Sequence, residues 1–214
     1  MRILVATGFR TSAAQVNVQG FAADVIALRH HLDARADIDV ILVGHSYGGA
    51  LISEVAANNS QIMGLVYVAA VAPIAGVPFG IWMAEHPNSH QTTPTLDGCG
   101  LLWLSPDDCI NGLAHDLPEE DGLLLWAVQK PVAAASFGDS ASLEGWRDKP
   151  CWYLVTENDR AFSVDGQYEL AKQMNATTRS VASGHMVALS HPETVADLVR
   201  EAIASLELTN AQLD

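Results

Sequence analysis

The feature that most constrains the fold of this chain is a serine in a glycine-rich turn between two apolar segments. Residues 44–48 read G-H-S-Y-G, with Ser46 at the centre. Asp39–Val43, before the turn, has the apolar run of a buried strand, and Ala50–Ala57, after it, is predicted to form a helix. A sharp strand-to-helix turn lifts a serine hydroxyl above the end of a sheet. The glycines expected to let the two backbones pack closely are Gly44, Gly48 and Gly49.

Strand-like and helix-like segments alternate on both sides of this turn, which is typical of an α/β fold with a parallel sheet. A helical stripe before the turn is formed by Phe21, Val25, Leu28 and Leu32. Asp24 in that segment lies where a helix N-terminus favours negative charge. Further strands are predicted at Gly64–Ala70, Cys151–Thr156 and Thr178–Ala182, and helices at Gly166–Met174 and after Ser190, where S-x-x-E fits a capping box.

The middle of the chain differs in composition from both ends. Residues 73–146 are rich in Pro, Gly, Trp and His and show no clear strand pattern, so we expect a few short helices. One of them is predicted to begin at Asp116–Glu119. The length of 214 residues, 49% of them apolar, suffices for one domain with a sizeable core. We therefore predict a single domain, 1–214, whose core is formed by residues 1–72 and 147–214 around the inserted middle segment.

Two side chains much later in the chain than Ser46 could complete a nucleophilic site. A serine hydroxyl is a weak nucleophile unless a base takes its proton and a carboxylate orients that base. His185 lies in the loop Ser183–His185, straight after a predicted strand, and Asp159 lies three residues past the end of another. Loops at strand ends are where such groups are found, in the chain order serine, acid, histidine. Glu157 is the alternative acid, but it lies next to the strand end, and Asp165 is expected at the surface.

Two neighbours of the serine have expected supporting roles. The backbone N–H of Tyr47, at the start of the predicted helix, is a candidate donor to an oxyanion. His45, inside the turn, is expected to be a packed or hydrogen-bonded neighbour and not the base.

A metal site is not expected. His86 and His90 are four residues apart, as two ligands on one helix would be. Pro87 and the Asn-Ser pair that follows it favour a loop there. We therefore predict neither a metal ion nor a cofactor.

The charge balance limits the partners of this chain. Lys and Arg total 11 against 25 for Asp and Glu, giving a formal net charge of −14, which argues against nucleic acid and anionic membrane surfaces. The uncharged span Ile62–Ala84 is long enough for a membrane helix, but Pro73 and Pro78 interrupt it. A small molecule is the expected ligand, and a homodimer is left open.

The cysteines favour a reducing compartment. Cys99, Cys109 and Cys151 are an odd number without metal-ligand spacing, so free thiols are the favoured interpretation. A Cys99–Cys109 disulfide in the loop-rich middle is the alternative. No convincing signal peptide is recognised, and the expected location is the cytoplasm.

Four stretches together resemble the α/β-hydrolase superfamily, and within it bacterial esterase-like members related to the plant methylesterase and hydroxynitrile lyase group. The stretches are Val40–Gly49, Gly64–Pro73, Trp152–Arg160 and Gly184–Pro192. The resemblance implies a mostly parallel sheet flanked by helices, with Ser46 as nucleophile, Asp159 as acid and His185 as base. It also implies that the middle segment is a mainly helical cap over the site. In that group lyases carry Lys after the catalytic His and esterases carry Met, so Met186 implies ester hydrolysis.

The chain departs from the resembled family at its N-terminus. In such hydrolases an early strand ends in a His-Gly loop that supplies a second oxyanion N–H. That loop lies further before the serine than the 45 residues that precede Ser46 here, and Thr7–Gly8 does not replace it. Arg2–Ala6 then corresponds to the tail of the family's first helix, although its apolar run would also suit a strand. We expect an N-terminally shortened fold, the first strands being absent, supplied by a partner subunit or encoded upstream.

These observations predict a serine hydrolase that cleaves a small carboxylic ester through an acyl-enzyme. Trp82, Trp103 and Trp126 in the cap are expected to line an apolar acyl or aryl pocket, or else to form the core of the cap. Two other functions stay open. One is a non-catalytic binding protein with an incomplete oxyanion hole, and the other is a lyase of the hydroxynitrile type.

Overall fold

The computed structural model describes residues 1–72, 74–90 and 92–211, with side chains as far as residue 206. Its elements in chain order are α1 (Arg2–Ala6), α2 (Phe21–Asp33), β1 (Val40–His45), α3 (Gly48–Ala56), β2 (Ile62–Val68), α4 (Phe79–Glu85), β3 (Thr95–Leu96), β4 (Leu101–Trp103), α5 (Glu119–Val128), β5 (Val132–Ala133), β6 (Cys151–Thr156), α6 (Val164–Gln173), β7 (Thr177–Val181), α7 (Val187–Ser190) and α8 (Pro192–Ala211). A π-helical turn covers Asp108–Leu113, and 3₁₀ turns cover Ala134–Gly138 and Gly145–Arg147.

The central sheet is parallel throughout and has the strand order β1-β2-β6-β7. Alternate residues of its inner strands point to opposite faces. Tyr67 and Tyr153 point to the face that α2, α3 and α6 cover, and their rings stack there with centroids 6.0 Å apart. Val66 and Leu154 point to the other face, where α8 packs. Burial on both faces explains why these strands are apolar at nearly every position.

The predicted elements of the sheet and its helices are largely confirmed. The strand at Cys151–Thr156 has the predicted bounds, and the apolar stripe of α2 is buried. Arg2–Ala6 is a helix, as the family comparison implied, so the strand interpretation is excluded. The prediction of a capping box at Ser190 was wrong. Ser190 ends α7, and its hydroxyl bonds to Ser183 and His191 and does not cap α8.

The middle segment contains strands that the sequence did not predict. β3, β4 and β5 form a three-stranded antiparallel sheet beside the short helices. These strands have two or three residues each, which is too short for a recognisable alternation of apolar and polar side chains. The helix predicted near Asp116–Glu119 is confirmed as α5. Pro73, the expected start of the insertion, lies outside the described residues.

Two carboxylates fasten the end of this segment to the helices of the core. Glu54 of α3 is buried and accepts hydrogen bonds from the backbone N–H groups of Ser142 and Leu143. Asp139 accepts a hydrogen bond from the N–H of Phe21, at the start of α2. The end of the insertion is therefore held against α2 and α3.

The strand that leads to the serine turn lies at an edge of the sheet. Within the described ranges, β1 pairs with β2 and with no other strand. Val43 of β1 is 45% exposed, whereas every residue of β6 is buried. An apolar parallel strand normally has neighbours that cover it, so β1 is an unusually open strand.

In the part of the chain that the structure describes, no helix combines the length and apolarity that a bilayer crossing requires. Cys99, Cys109 and Cys151 are all free, so the alternative Cys99–Cys109 disulfide does not form.

Candidate active site

Ser46 stands on a strained turn between β1 and α3. Its φ is +53°, in the left-handed region that non-glycine residues rarely adopt. The backbone of the turn is fixed to the next strand, because the Ser46 N–H donates to Val68 O at 3.2 Å and Val71 N–H donates to Ser46 O at 3.0 Å. The predicted strained turn between a strand and a helix is therefore present.

Two of the three glycines in the turn are required by close packing. A Cβ on Gly44 would lie 2.7 Å from the Gly48 carbonyl oxygen, and one on Gly49 would lie 2.2 Å from the Val71 carbonyl oxygen. A Cβ on Gly48 would meet nothing within 4 Å. The expectation that Gly48 serves this packing was therefore wrong, since its α-carbon faces open space.

Tyr47, the residue after the serine, is held by its side chain. Its hydroxyl donates to Asp24 Oδ2 at 3.1 Å, and Asp24 Oδ1 accepts the N–H groups of Asn17 and Val18. Asp24 is buried in the first turn of α2, as expected for an acidic residue near a helix N-terminus. It also holds the segment before α2 in place through Asn17 and Val18. The Tyr47 N–H donates to no acceptor among the described residues, so it is available to a ligand at the start of α3.

Asp159 occupies a buried cradle of donors after β6. Its Oδ1 accepts the N–H groups of Ala161 and Phe162, each at 2.9 Å. Its Oδ2 accepts from the Thr156 hydroxyl at 2.8 Å and from Gln167 Nε2 at 3.1 Å. The residue is 4% exposed, so these bonds replace the water that an ionised carboxylate needs.

His185 completes this cradle. Its Nδ1–H donates to Asp159 Oδ2 at 2.8 Å, which leaves Nε2 free to accept a proton. Burial alone would raise the pKa of Asp159, but the hydrogen bonds and charge of His185, with the Phe162 N–H and the Thr156 hydroxyl, hold that pKa below its ordinary value. The pair is therefore an ionised carboxylate that orients an imidazole.

The two rival acids lie elsewhere. Glu157 is exposed and accepts a long hydrogen bond, 3.4 Å, from the Tyr168 hydroxyl. Asp165 is exposed in the first turn of α6. Neither contacts His185 among the described hydrogen bonds, so Asp159 alone has the geometry of an orienting acid.

His45 joins the serine turn to the histidine loop, as a hydrogen-bonded neighbour. Its Nε2–H donates to the His185 carbonyl oxygen at 2.9 Å, and the two rings lie 4.6 Å apart between centroids. Burial, with the charge of His185, lowers the pKa of His45 to about 4, so its ring is neutral near pH 7. The described hydrogen bonds link His185 to Asp159 and His45 but not to Ser46, a bond that commonly tightens only when substrate binds.

A sequence profile described as the alpha/beta hydrolase family matches residues 6–198. This chain belongs to the alpha/beta hydrolase family. It is 30% identical over 181 residues to alpha/beta hydrolase nvfD of Aspergillus novofumigatus, a match that covers 77% of this chain and 70% of that protein. The resemblance to the α/β-hydrolase superfamily is thereby confirmed.

Solved structures show the same fold at lower identity. A methylesterase from Arabidopsis has a TM-score of 0.77 at 21% identity, with 94% of this chain and 90% of that chain covered. Polyneuridine aldehyde esterase has a TM-score of 0.74 at 19% identity, with 94% and 91% covered. Tomato methylketone synthase I, complexed with 2-tridecanone, has a TM-score of 0.77 at 18% identity, with 95% and 90% covered. The predicted α/β-hydrolase fold is thereby confirmed.

The three cap tryptophans of this hydrolase differ in burial and in their contacts. Trp82 is 5% exposed and stacks on His86 and Phe162, so it belongs to the core of the protein. Trp103 is 39% exposed, and its Nε1–H donates to Asp97 at 2.8 Å. Trp126 is 42% exposed on α5. For Trp82 the alternative of cap core therefore holds.

A cleft of about 620 Å³ is lined by Asp159 and by residues around it, but by neither Ser46 nor His185. Two of its lining residues, His115 and Asp116, come from the cap and reach the loops of the site. Sequence reasoning had assigned no role to His115 and had treated Asp116 as a helix start. The sequence holds no signal for which loops they meet, because that depends on the packing of the cap.

The described residues contain no group of three side chains fit for a metal ion.

Proposed function

We propose that this alpha/beta hydrolase is a serine esterase acting on a small carboxylic ester. Ser46 Oγ attacks the ester carbonyl carbon, and its proton passes to His185 Nε2. Asp159 stabilises the imidazolium that forms, and the Tyr47 N–H donates to the oxyanion. His185 then gives the proton to the departing alcohol, which leaves an acyl group on Ser46.

The second half of the reaction uses the same groups. A water molecule gives a proton to His185 Nε2 while its oxygen attacks the acyl carbon. Collapse of the second tetrahedral intermediate releases the carboxylic acid, and Ser46 recovers its proton from His185.

One observation carries this proposal. The His185–Asp159 hydrogen bond of 2.8 Å lies in a buried cradle, and His45, the residue before the strained serine, fastens the histidine loop to the serine turn. A strained serine whose turn is bonded to the loop of an oriented imidazole supports nucleophilic catalysis more strongly than a purely structural role. Met186, directly after the base, supports ester hydrolysis over cyanohydrin cleavage through the resemblance already described.

Labelling with a fluorophosphonate probe and turnover of p-nitrophenyl acetate test the proposal. Wild type is expected to react with both, and Ser46→Ala and His185→Ala are expected to lose both. Ser60→Ala removes an exposed serine that follows α3 and is expected to behave as wild type. An unlabelled wild type, or equal labelling of Ser46→Ala, would contradict the proposal.

A binding role without turnover is the second candidate, and the open edge of β1 favours it. An oxyanion hole of this kind draws its second N–H from a loop of a strand on that side, and within the described ranges no strand lies there. Loss of one such donor lowers kcat by about 10² to 10³-fold. This candidate predicts saturable ester binding, measured by calorimetry, with no burst of p-nitrophenol.

A further inference from the structure

The dipeptide His115–Asp116 of the cap contacts both loops of the proposed acid and base. His115 Nε2–H donates to the carbonyl oxygen of Asn158, the residue before the acid, at 2.7 Å. Asp116 Oδ2 accepts the N–H of Gly184, the residue before the base, at 2.7 Å. One short segment of the cap is therefore bonded to the peptide groups next to Asp159 and His185.

The two loops are also bonded to each other at this point. The Asn158 N–H donates to the Ser183 carbonyl oxygen at 3.1 Å. The Ser183 hydroxyl lies 3.1 Å from Asp116 Oδ2 and 2.7 Å from the Ser190 hydroxyl, so it can donate to the carboxylate and accept from Ser190. The dipeptide thus closes a hydrogen-bonded junction between the loops.

The fit between the dipeptide and the histidine loop is close. A Cβ on Gly184 would lie 2.6 Å from Asp116 Oδ1 and 2.8 Å from His115 Cε1. The His115 side chain is 7% exposed and that of Asp116 is 21% exposed. A glycine at 184 lets the carboxylate approach the backbone of the loop to hydrogen-bond distance.

We propose that His115 and Asp116 are positioning residues that fix the acid loop and the base loop relative to each other. This role rests on the proposed esterase function. It acts through the spacing of Asp159 and His185, because a displacement of about 1 Å in a catalytic group can lower the rate by about 10²-fold. No described hydrogen bond links either residue to the serine turn, so substrate binding is expected to be unaffected.

Substitutions that remove or restore the bonds test this role. Asp116→Ala and His115→Phe are expected to lower kcat by about 10 to 100-fold with little change in KM. Asp116→Asn keeps an acceptor and His115→Gln keeps a donor, so each is expected to recover most of the loss. Glu120→Ala removes an exposed carboxylate from the first turn of α5 in the same cap and serves as the matched control.

Gly184→Ala tests the same junction from the other side. The added methyl group would displace the Asp116 carboxylate, so this variant is expected to lower kcat as Asp116→Ala does. Because both changes break the bond between Asp116 and the Gly184 N–H, the double variant is expected to lose little more than the larger of the two single losses.

The fluorophosphonate labelling rate and the melting temperature, both measured on folded protein, separate positioning from stability. A lower melting temperature with unchanged kcat and unchanged labelling in Asp116→Ala, His115→Phe and Gly184→Ala would overturn the positioning role.

If wild type neither turns over nor labels, the esterase proposal itself fails. The positioning role is then decided by the downfield proton NMR signal of His185 Nδ1–H. That signal is expected to shift or broaden in Asp116→Ala and to return in Asp116→Asn. An unchanged signal in both would overturn it.

Discussion

Asp159 and Ser46 of this hydrolase follow strands with opposite surroundings. Asp159 follows β6, whose six residues are all buried and which pairs with β2 and β7. Ser46 follows β1, which pairs with β2 alone within the described ranges and has Val43 45% exposed. Asp159 accepts hydrogen bonds from several residues through its side chain, whereas Ser46 is fixed through its backbone, by bonds that include those with Val68 and Val71.

This difference separates two ways of holding a residue of the candidate site. The acid is held by many donors that also stabilise its charge, so its substitution changes chemistry directly. The strained backbone of Ser46 is held by the hydrogen bonds of its turn and by glycines that allow close contacts, so its position depends on the turn and little on the exposed side of β1. We expect the two regions to respond differently to matched substitutions.

The largest expected effect is the loss of kcat on substitution of Asp159, the proposed acid. Asp159→Asn keeps the size of the side chain but removes its charge and favours the wrong tautomer of His185, so kcat is expected to fall by about 10⁴-fold. Steady-state hydrolysis of p-nitrophenyl acetate measures it. Glu157→Gln, two residues away and exposed, is expected to leave kcat unchanged. The opposite order of effects would exchange the roles of the two acids.

The next largest expected effect is a loss of stability on substitution in the serine turn, which is tightly packed at Gly49. Gly49→Ala would bring a Cβ within 2.2 Å of a backbone oxygen, and we expect a loss of about 3 kcal/mol in the free energy of unfolding. Gly48→Ala meets no atom within 4 Å and lies at the first position of α3, so its change is expected to stay within about 1 kcal/mol. Urea denaturation compares the two. Equal losses would show that the turn is not the constraint.

The sequence predicted the acid region better than the cap, and the reason is physical. The strand β6 and the pair Asp159 and His185 follow from local runs and from the chain order of a parallel sheet. The three short strands of the cap leave no periodic pattern in two or three residues. The contacts of His115 and Asp116 depend on how the cap packs over the loops, which no local pattern records. In the sequence, Gly48 looks like the other two glycines of the turn, Gly44 and Gly49. It differs from them only in what its α-carbon faces in the fold.

A matched pair of valines measures the difference between the two strands. Val155 is 0% exposed in β6, and Val155→Thr would bury a hydroxyl, with an expected loss of about 1 to 3 kcal/mol in the free energy of unfolding. Val43→Thr places the same hydroxyl at a position 45% exposed in β1, with an expected change within about 0.5 kcal/mol. Thermal and urea unfolding of both variants provide the comparison. A loss at Val43 as large as that at Val155 would mean that another chain covers β1 in solution.

His45 joins the two regions, and its titration should be visible in stability. The pKa of His45 is lowered from its ordinary value of 6.5 to about 4, first by burial and then by the charge of His185. As pH falls through this range, the unfolded chain binds the proton before the folded one does, so stability decreases. His45→Gln keeps an N–H donor for the His185 carbonyl oxygen and does not titrate. Between pH 6 and pH 5, the free energy of unfolding of wild type should therefore fall by up to about 1.4 kcal/mol more than that of the variant. Urea denaturation at both values measures this slope, and equal slopes would mean that His45 is not held neutral at the junction.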